Sequence, residues 1–295
     1  MRFSVSILCS FWPLIWATIS PCAKWNTSGV TVVGKGVGSI SDSFHDQLYL
    51  PRSIFFHKKS NTLYVSDAGR VQTFPLNGSS AAGSTLTMKS VVRRIFVDDD
   101  DDGPTLYATV VDFDGGHVEK WAYGASHGVQ VGDQCQDCMG VWVDQEKNVY
   151  MTEYFQHSVL KWSPQTNTTT IVAGRTNQSG STGEYLAFPN DIYVDATENA
   201  VYVSDLGNQR IQKWTKGARE GITIVGPSKI TENNNSAWLK PNSIWIDEET
   251  NVIFVADGLY SGIKRWLPNA STGEIIAGGF GMLRQSFISA KKYEL

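Results

Sequence analysis

The chain has 295 residues, of which 18% are charged and 41% hydrophobic, with a formal net charge of -4 and a pI near 5.7. That acidic balance argues against a phosphate-binding surface as the main business, and so against nucleic acid as a partner. Ten tryptophans, and 27 glycines against 10 prolines, point to many short strands joined by tight turns.

The first element in chain order is the apolar run of "MRFSVSILCSFWPLIWATISPCAKW". Arg2 gives a positive start, Val5 to Ile19 the apolar stretch, and small residues appear from Ala17 to Ala23. This is the plan of a secretory signal peptide over residues 1–22, with cleavage between 17 and 23. An uncleaved anchor is the alternative, but Pro13 interrupts the run, which is short for a bilayer. The expectation is a secreted, extracellular chain with no membrane span after signal removal. Six Asn-x-Ser/Thr sequons, at Asn26, Asn77, Asn167, Asn177, Asn234 and Asn269, agree with export and all fall in predicted loops. Cys135 and Cys138 form "CQDC", which in an exported chain predicts a short disulfide. Free thiols or a metal or redox site are the alternatives.

"GVTVVG" at 29–34 reads as a strand standing alone. Beyond it one pattern recurs. An acid is followed nine residues later by tryptophan in Asp112 to Trp121, Glu153 to Trp162, Asp205 to Trp214 and Asp257 to Trp266. Asp67 to Phe74 is a shortened version. A second set of acids, Asp98, Asp144, Asp195 and Asp247, closes the preceding strand, with His57 in that place in "IFFH". Each unit predicts four strands, as in "DIYVD", "AVYVSD", "RIQKW" and "GITIVG", with Ile192 and Val194 on one face of the pleat. The acids at 67, 112, 153, 205 and 257 stand 45, 41, 52 and 52 residues apart, the spacing of β-propeller blades. Asp67, Asp112, Glu153, Asp205 and Asp257 read as turn acids that accept backbone N–H groups of the turn into the third strand. Each tryptophan has the apolar surface to pack against the adjacent blade.

These residues resemble the NHL-repeat family, whose motif is met from Pro189 to Trp214. The fifth unit keeps Pro241, Ile244, Asp247, Val255, Asp257 and Trp266, but has Tyr260 and Gly262 where the motif has Asn and Arg. The third has Glu153, Gln156 and Ser158, and the second Gly115 and His117. The likeness makes 26–280 the propeller and 281–295 a short tail. It implies an all-β propeller of four-stranded blades, usually about six, and no single activity. Five blades are recognisable. "GVTVVG" calls for a blade lacking its fourth strand, and nothing after 280 supplies one. The chain therefore reads as an incomplete six-blade design; a ring closed by five blades with one strand over is the alternative.

In an up-and-down blade, the connector into strand one and the turn between strands two and three share a face. That face carries the long loops 34–51, 174–189 and 226–241, and the candidate binding residues Arg70, Tyr154, His157, Asn208, Arg210 and Tyr260. The acidic run Asp98 to Asp102, on the opposite face, reads as a solvated turn, and His57 as a surface histidine. No histidines have ligand spacing, so no catalytic residue, metal or cofactor is expected. The leading expectation is a binding module for an extracellular protein or glycan. The family likeness implies two alternatives. One is a metal-dependent extracellular lyase or lactonase, which needs His or acidic groups near the axis where this chain offers Ser53, Asn190 and Ser243. The other is RNA binding by the propeller face, against which export and acidity speak.

Overall fold

The structure is a computed structural model that describes residues 5–6, 31–33, 48–76, 83–100, 102–226 and 239–278. β1 (Val5–Ser6) and β2 (Thr31–Val33) form a small antiparallel ladder. Five four-stranded antiparallel sheets follow, each built from consecutive strands, and together they make a five-bladed propeller. Blade one is β3 (Pro51–His57), β4 (Thr62–Asp67), β5 (Arg70–Pro75) and β6 (Thr85–Thr87). Blade two is β7 (Val91–Asp100), β8 (Gly103–Asp112), β9 (Gly115–Trp121) and β10 (Val129–Cys135). Blade three is β11 (Cys138–Val143), β12 (Val149–Glu153), β13 (Ser158–Ser163) and β14 (Thr168–Gly174). Blade four is β15 (Pro189–Asp195), β16 (Ala200–Asp205), β17 (Arg210–Thr215) and β18 (Ile222–Val225). Blade five is β19 (Pro241–Asp247), β20 (Val252–Asp257), β21 (Gly262–Trp266) and β22 (Glu274–Gly278). No helix among the described residues is long and apolar enough to cross a membrane.

The alternation read from the sequence sets the packing. In each blade an aromatic residue of the first strand pairs with one of the second: Phe55 with Tyr64, Phe96 with Tyr107, Trp142 with Tyr150, Tyr193 with Tyr202, and Trp245 with Phe254. Such cross-strand pairs fix register, because a one-residue slip would send every ring to the wrong face. The first-strand rings also touch between blades, with centroids 5.5 Å apart for Phe55 and Phe96, 5.3 Å for Phe96 and Trp142, and 4.5 Å for Trp142 and Tyr193. Trp142 thereby borders the apolar clusters of three neighbouring blade pairs.

At the far end of the third strands, Trp121, Trp214 and Trp266 are buried, each lying flat on a glycine. A Cβ on Gly128, Gly221 or Gly273 would come within 2.2, 2.7 and 2.4 Å of the respective indole, so only glycine lets the ring down onto the fourth strand. Trp214 also packs on blade three through Tyr150, Val159 and Leu186.

Every first strand carries a register break near its start, between Pro51 and Ser53, Val92 and Arg94, Cys138 and Val141, Pro189 and Asp191, and Pro241 and Ser243. A bulge leaves an amide without its ladder partner. A hydroxyl of the second strand supplies one, directly before the turn acid in blades one and three and three residues before it in blade two: Ser66 accepts from Ser53 N (2.9 Å), Thr152 from Gly140 N (2.7 Å) and Thr109 from Arg94 N (2.9 Å).

The fourth strand of blade one, β6, agrees with four strands per unit, although "TLT" is too short to show a pattern. The lone strand β2 pairs with Val5–Ser6 and with no blade, although Val33 is buried beside Ile54, Leu63 and Val65 of blade one.

Candidate binding face

The turn acids act on more than their own turns. Asp67 Oδ1 accepts from Tyr49 N and Leu50 N, both at 2.7 Å, in the loop leading into blade one. Asp205 Oδ1 accepts from Ala187 N (2.7 Å) and Asp257 Oδ1 from Lys240 N (3.0 Å), in the loops leading into blades four and five. Asp257 also takes an amide of its own turn, Leu259 N at 2.9 Å. The other oxygen of each meets a cation. Arg70 lies 2.8 Å from Asp67, Arg210 2.7 Å from Asp205, and Lys264 2.7 Å from Asp257. Arg210 further donates to the carbonyls of Ser181 (2.6 Å), Thr182 (3.0 Å) and Tyr185 (2.9 Å), and Asn208 to that of Gly180 (2.8 Å). Burial pushes the Asp205 carboxyl above its ordinary range despite these donors.

Three proposed binding residues are thus engaged in holding loops: Arg70, Asn208 and Arg210 are fasteners, and their donors point into the protein. Tyr260 lies under Lys264, whose Nζ is 3.9 Å from the ring centroid. Lys264 was missed in the sequence because it sits seven residues after its acid, where the motif places arginine at five. Glu153 and Asp112 lack a cation. Glu153 is buried with only the Ser158 hydroxyl donating to it (3.1 Å), and burial raises its pKa. Asp112 is exposed and accepts from Asp114 N (2.9 Å) in its own turn.

On the opposite face, Asp195 accepts from Thr197 N and Glu198 N, and Asp247 from Glu249 N and Thr250 N, as turn acids should. The acidic run is not a free solvated turn. It extends the β7–β8 hairpin, and Asp98 and Asp100 hold Lys147 of blade three at 2.5 and 2.8 Å. His57 is buried, not superficial, and its Nε2 bonds Asp99 at 2.7 Å, tying blade one to blade two. Asn167, Asn177 and Asn269 are exposed turn residues with positive φ. Asn26, Asn77 and Asn234 lie outside the described residues, as do most of the predicted leader and the 281–295 tail. Cys135 and Cys138 are joined by a disulfide.

Tyr154 and His157 do come together, in a cluster the sequence did not reveal. Tyr154 packs against Phe155 and Phe188 with centroids 5.2 and 5.1 Å away, and the His157 ring lies 4.8 Å from Phe188. Phe155 is 56% exposed and Phe188 37%. Phe188 has φ 53° and His157 φ 60°, left-handed values that bulky side chains rarely adopt. His157 Nδ1 accepts from Phe188 N (3.2 Å), which puts the proton of the neutral ring on Nε2. Phe113 and Leu259, at the tips of the equivalent turns of blades two and five, are also exposed.

The axis is bridged by one side chain. Arg94 of β7 donates from Nη1 to Arg52 O (3.1 Å) in β3 and from Nη2 to Asn242 O in β19, while its Nε stands 3.6 Å from Asp191 in β15. Ser243 Oγ bonds Asp191 Oδ2 at 2.5 Å, and Asn190 donates to Asn242 O at 2.6 Å. Among the described residues, no group of three or more His, Cys, Asp or Glu is placed to hold a metal ion.

Residues 186–214 match the NHL repeat family. Over 141 residues the chain is 26% identical to peptidyl-glycine alpha-amidating monooxygenase B of Xenopus laevis, a stretch covering 46% of this chain and 16% of that protein. A solved protein of unknown function from Bacteroides thetaiotaomicron aligns with TM-score 0.62 at 16% identity, covering 86% of this chain and 63% of that one. A chain of the nidogen/laminin complex aligns with TM-score 0.60 at 14% identity, over 76% of this chain and 78% of that one. A catalytically inactive virginiamycin B lyase from Staphylococcus aureus, solved with quinupristin, gives TM-score 0.51 at 13% identity, over 76% and 68%. At such identities the structural likeness speaks for the fold alone. The chain is a five-bladed β-propeller that carries an NHL repeat.

Proposed function

We propose that the chain is a secreted, N-glycosylated binding propeller that takes an extracellular protein or glycan on its loop-bearing face. The ring cluster of Tyr154, Phe155, His157 and Phe188 carries this reading. Exposed aromatic surface held by a strained backbone is a conformation that stability alone does not favour, and such strain gathers at ligand sites. Asp205, Asn208 and Arg210 hold the adjoining 175–188 loop, which supports a preformed surface. The test is expression in a eukaryotic host, followed by capture on arrays of immobilised glycans and matrix proteins. The expected result is a secreted product whose mass falls on enzymatic deglycosylation. Phe155→Ala should weaken capture by about two- to tenfold, with an unchanged melting temperature. Retention in the cytosol, or capture indifferent to Phe155, would overturn the proposal.

A further inference from the structure

The face offers a second feature beside the rings. Asp137 sits in the disulfide-closed turn between blades two and three, and its carbonyl accepts from Tyr154 N at 3.1 Å. Its carboxylate lies 3.6 Å from Arg93 Nη2, beyond hydrogen-bond distance. Arg93 occupies the bulge of β7, and Arg52 the equivalent bulge of β3. Arg94 and Asp191 are already engaged at the axis, as described above. Arg52 and Arg93 are held less closely: both are partly buried, Arg93 has the long ion pair with Asp137, and the Nε of each is shut from solvent without a hydrogen bond, as is Asp137 Oδ1. Burial, and then the charges of Arg93 and Arg94, hold the Arg52 guanidinium below its ordinary pKa. Burial also raises the Asp137 carboxyl, against the pull of both arginines. The chain's own carboxylate, tethered on both sides by the disulfide turn, therefore leaves two guanidinium groups poorly matched.

We propose that Arg52 and Arg93 form a subsite for the carboxylate of an acidic saccharide whose ring lies on the Tyr154 and Phe155 surface. This rests on the binding reading of the same face and deepens it. A free carboxylate can approach a guanidinium in the bidentate geometry that Asp137 does not reach. The apolar face of a sugar ring suits an exposed aromatic ring beside it.

The experiment is calorimetric titration of the full chain with a glucuronate-containing tetrasaccharide, a neutral glucose tetrasaccharide and a glutamate-rich peptide. The acidic saccharide should bind at least about tenfold more tightly than the neutral one. Arg52→Gln and Arg93→Gln, folded by melting temperature, should each weaken it by about tenfold, the scale of a lost hydrogen bond to a charged group. Asp137→Asn removes the competing carboxylate and should tighten binding, a direction that a purely structural role of Asp137 does not give. Equal affinity for the two saccharides, binding of the peptide alone, indifference to both arginines, or weaker binding by folded Asp137→Asn would each overturn the subsite. If Phe155→Ala still abolishes capture of another ligand while the arginine variants do not, the binding function stands and the subsite falls.

Discussion

Blades four and two share one strand plan and differ in how they are fastened. The loop leading into blade four, 175–188, is gathered by Asp205, Asn208 and Arg210 through bonds to Ala187, Gly180, Ser181, Thr182 and Tyr185. The connector into blade two, 88–90, is short and held mainly by backbone bonds, Met88 N to Gly69 O and Val92 N to Ala68 O, with one long bond from the Ser90 hydroxyl to Asp112 (3.4 Å). Asp112 consequently has only that one long bond to its connector and stays exposed. The same rule covers the rest of the ring. Asp67 with Arg70 and Asp257 with Lys264 hold the described ends of their connectors, at Tyr49, Leu50 and Lys240, whereas Glu153 follows the tight disulfide turn and meets no cation among the described residues. The full motif stands in blade four, where the 175–188 loop is gathered, and an acid–cation pair persists in blades one and five.

The largest expected effect is at blade four. Arg210→Ala leaves a buried carboxylate unpaired and three carbonyls without their donor, and should cost about 3–5 kcal/mol in denaturant unfolding. Asp112→Ala should stay within about 0.5 kcal/mol. Similar losses for the two would break the comparison.

An intermediate effect of opposite sign is expected in blade three. Burial raises Glu153 above its ordinary value of 4.5, so the folded chain favours the protonated form. That contribution is fully present below about pH 4.5 and is lost as pH rises through the raised value. Glu153→Gln should therefore stabilise the protein at pH 7, by about 1–3 kcal/mol, the scale of burying a polar group with too few partners. The gain should disappear when unfolding is measured at about pH 4. A loss at pH 7 would show that the charge is in use and that blade three belongs with blade four.

The smallest effect is at the acidic clasp, blade two's own tie. Lys147→Met should destabilise by about 0.5–1 kcal/mol, and the difference should shrink in about 1 M salt because the pair is partly exposed. An effect that does not respond to salt would assign the clasp to packing and not to charge.

What could be read in the sequence was what repeats locally. Asp205 and Trp214 lie within one hairpin, and their spacing is fixed by strand length, so recurrence of the acid in five units and of tryptophan in four made them visible; Arg210 showed only in the full motif of blade four. Lys264 escaped because a side chain reaching back from farther along the strand breaks the spacing while keeping the ion pair. Arg94 and Asp191 escaped because their meeting depends on blades two and four facing each other across the axis. A signal was nonetheless present: aligned first strands carry Ser53, Arg94, Gly140, Asp191 and Ser243 at one level, with opposite charges in two blades only. The aromatic cluster had no such signal. Phe188 belongs to it because of its left-handed backbone, which no side-chain pattern announces.

The Arg94 bridge has a consequence for the order of events during synthesis. Its donor is made early, yet the Asn242 carbonyl it reaches lies 148 residues downstream, so that bond waits for nearly the whole propeller to emerge. Closing so wide a span is entropically late, after each hairpin has already formed from neighbours in the chain. The ring should therefore mature in two acts, with autonomous sheets first and a single latch at the hub last. A nascent chain halted before blade five would hold its sheets but leave its central guanidinium unlatched.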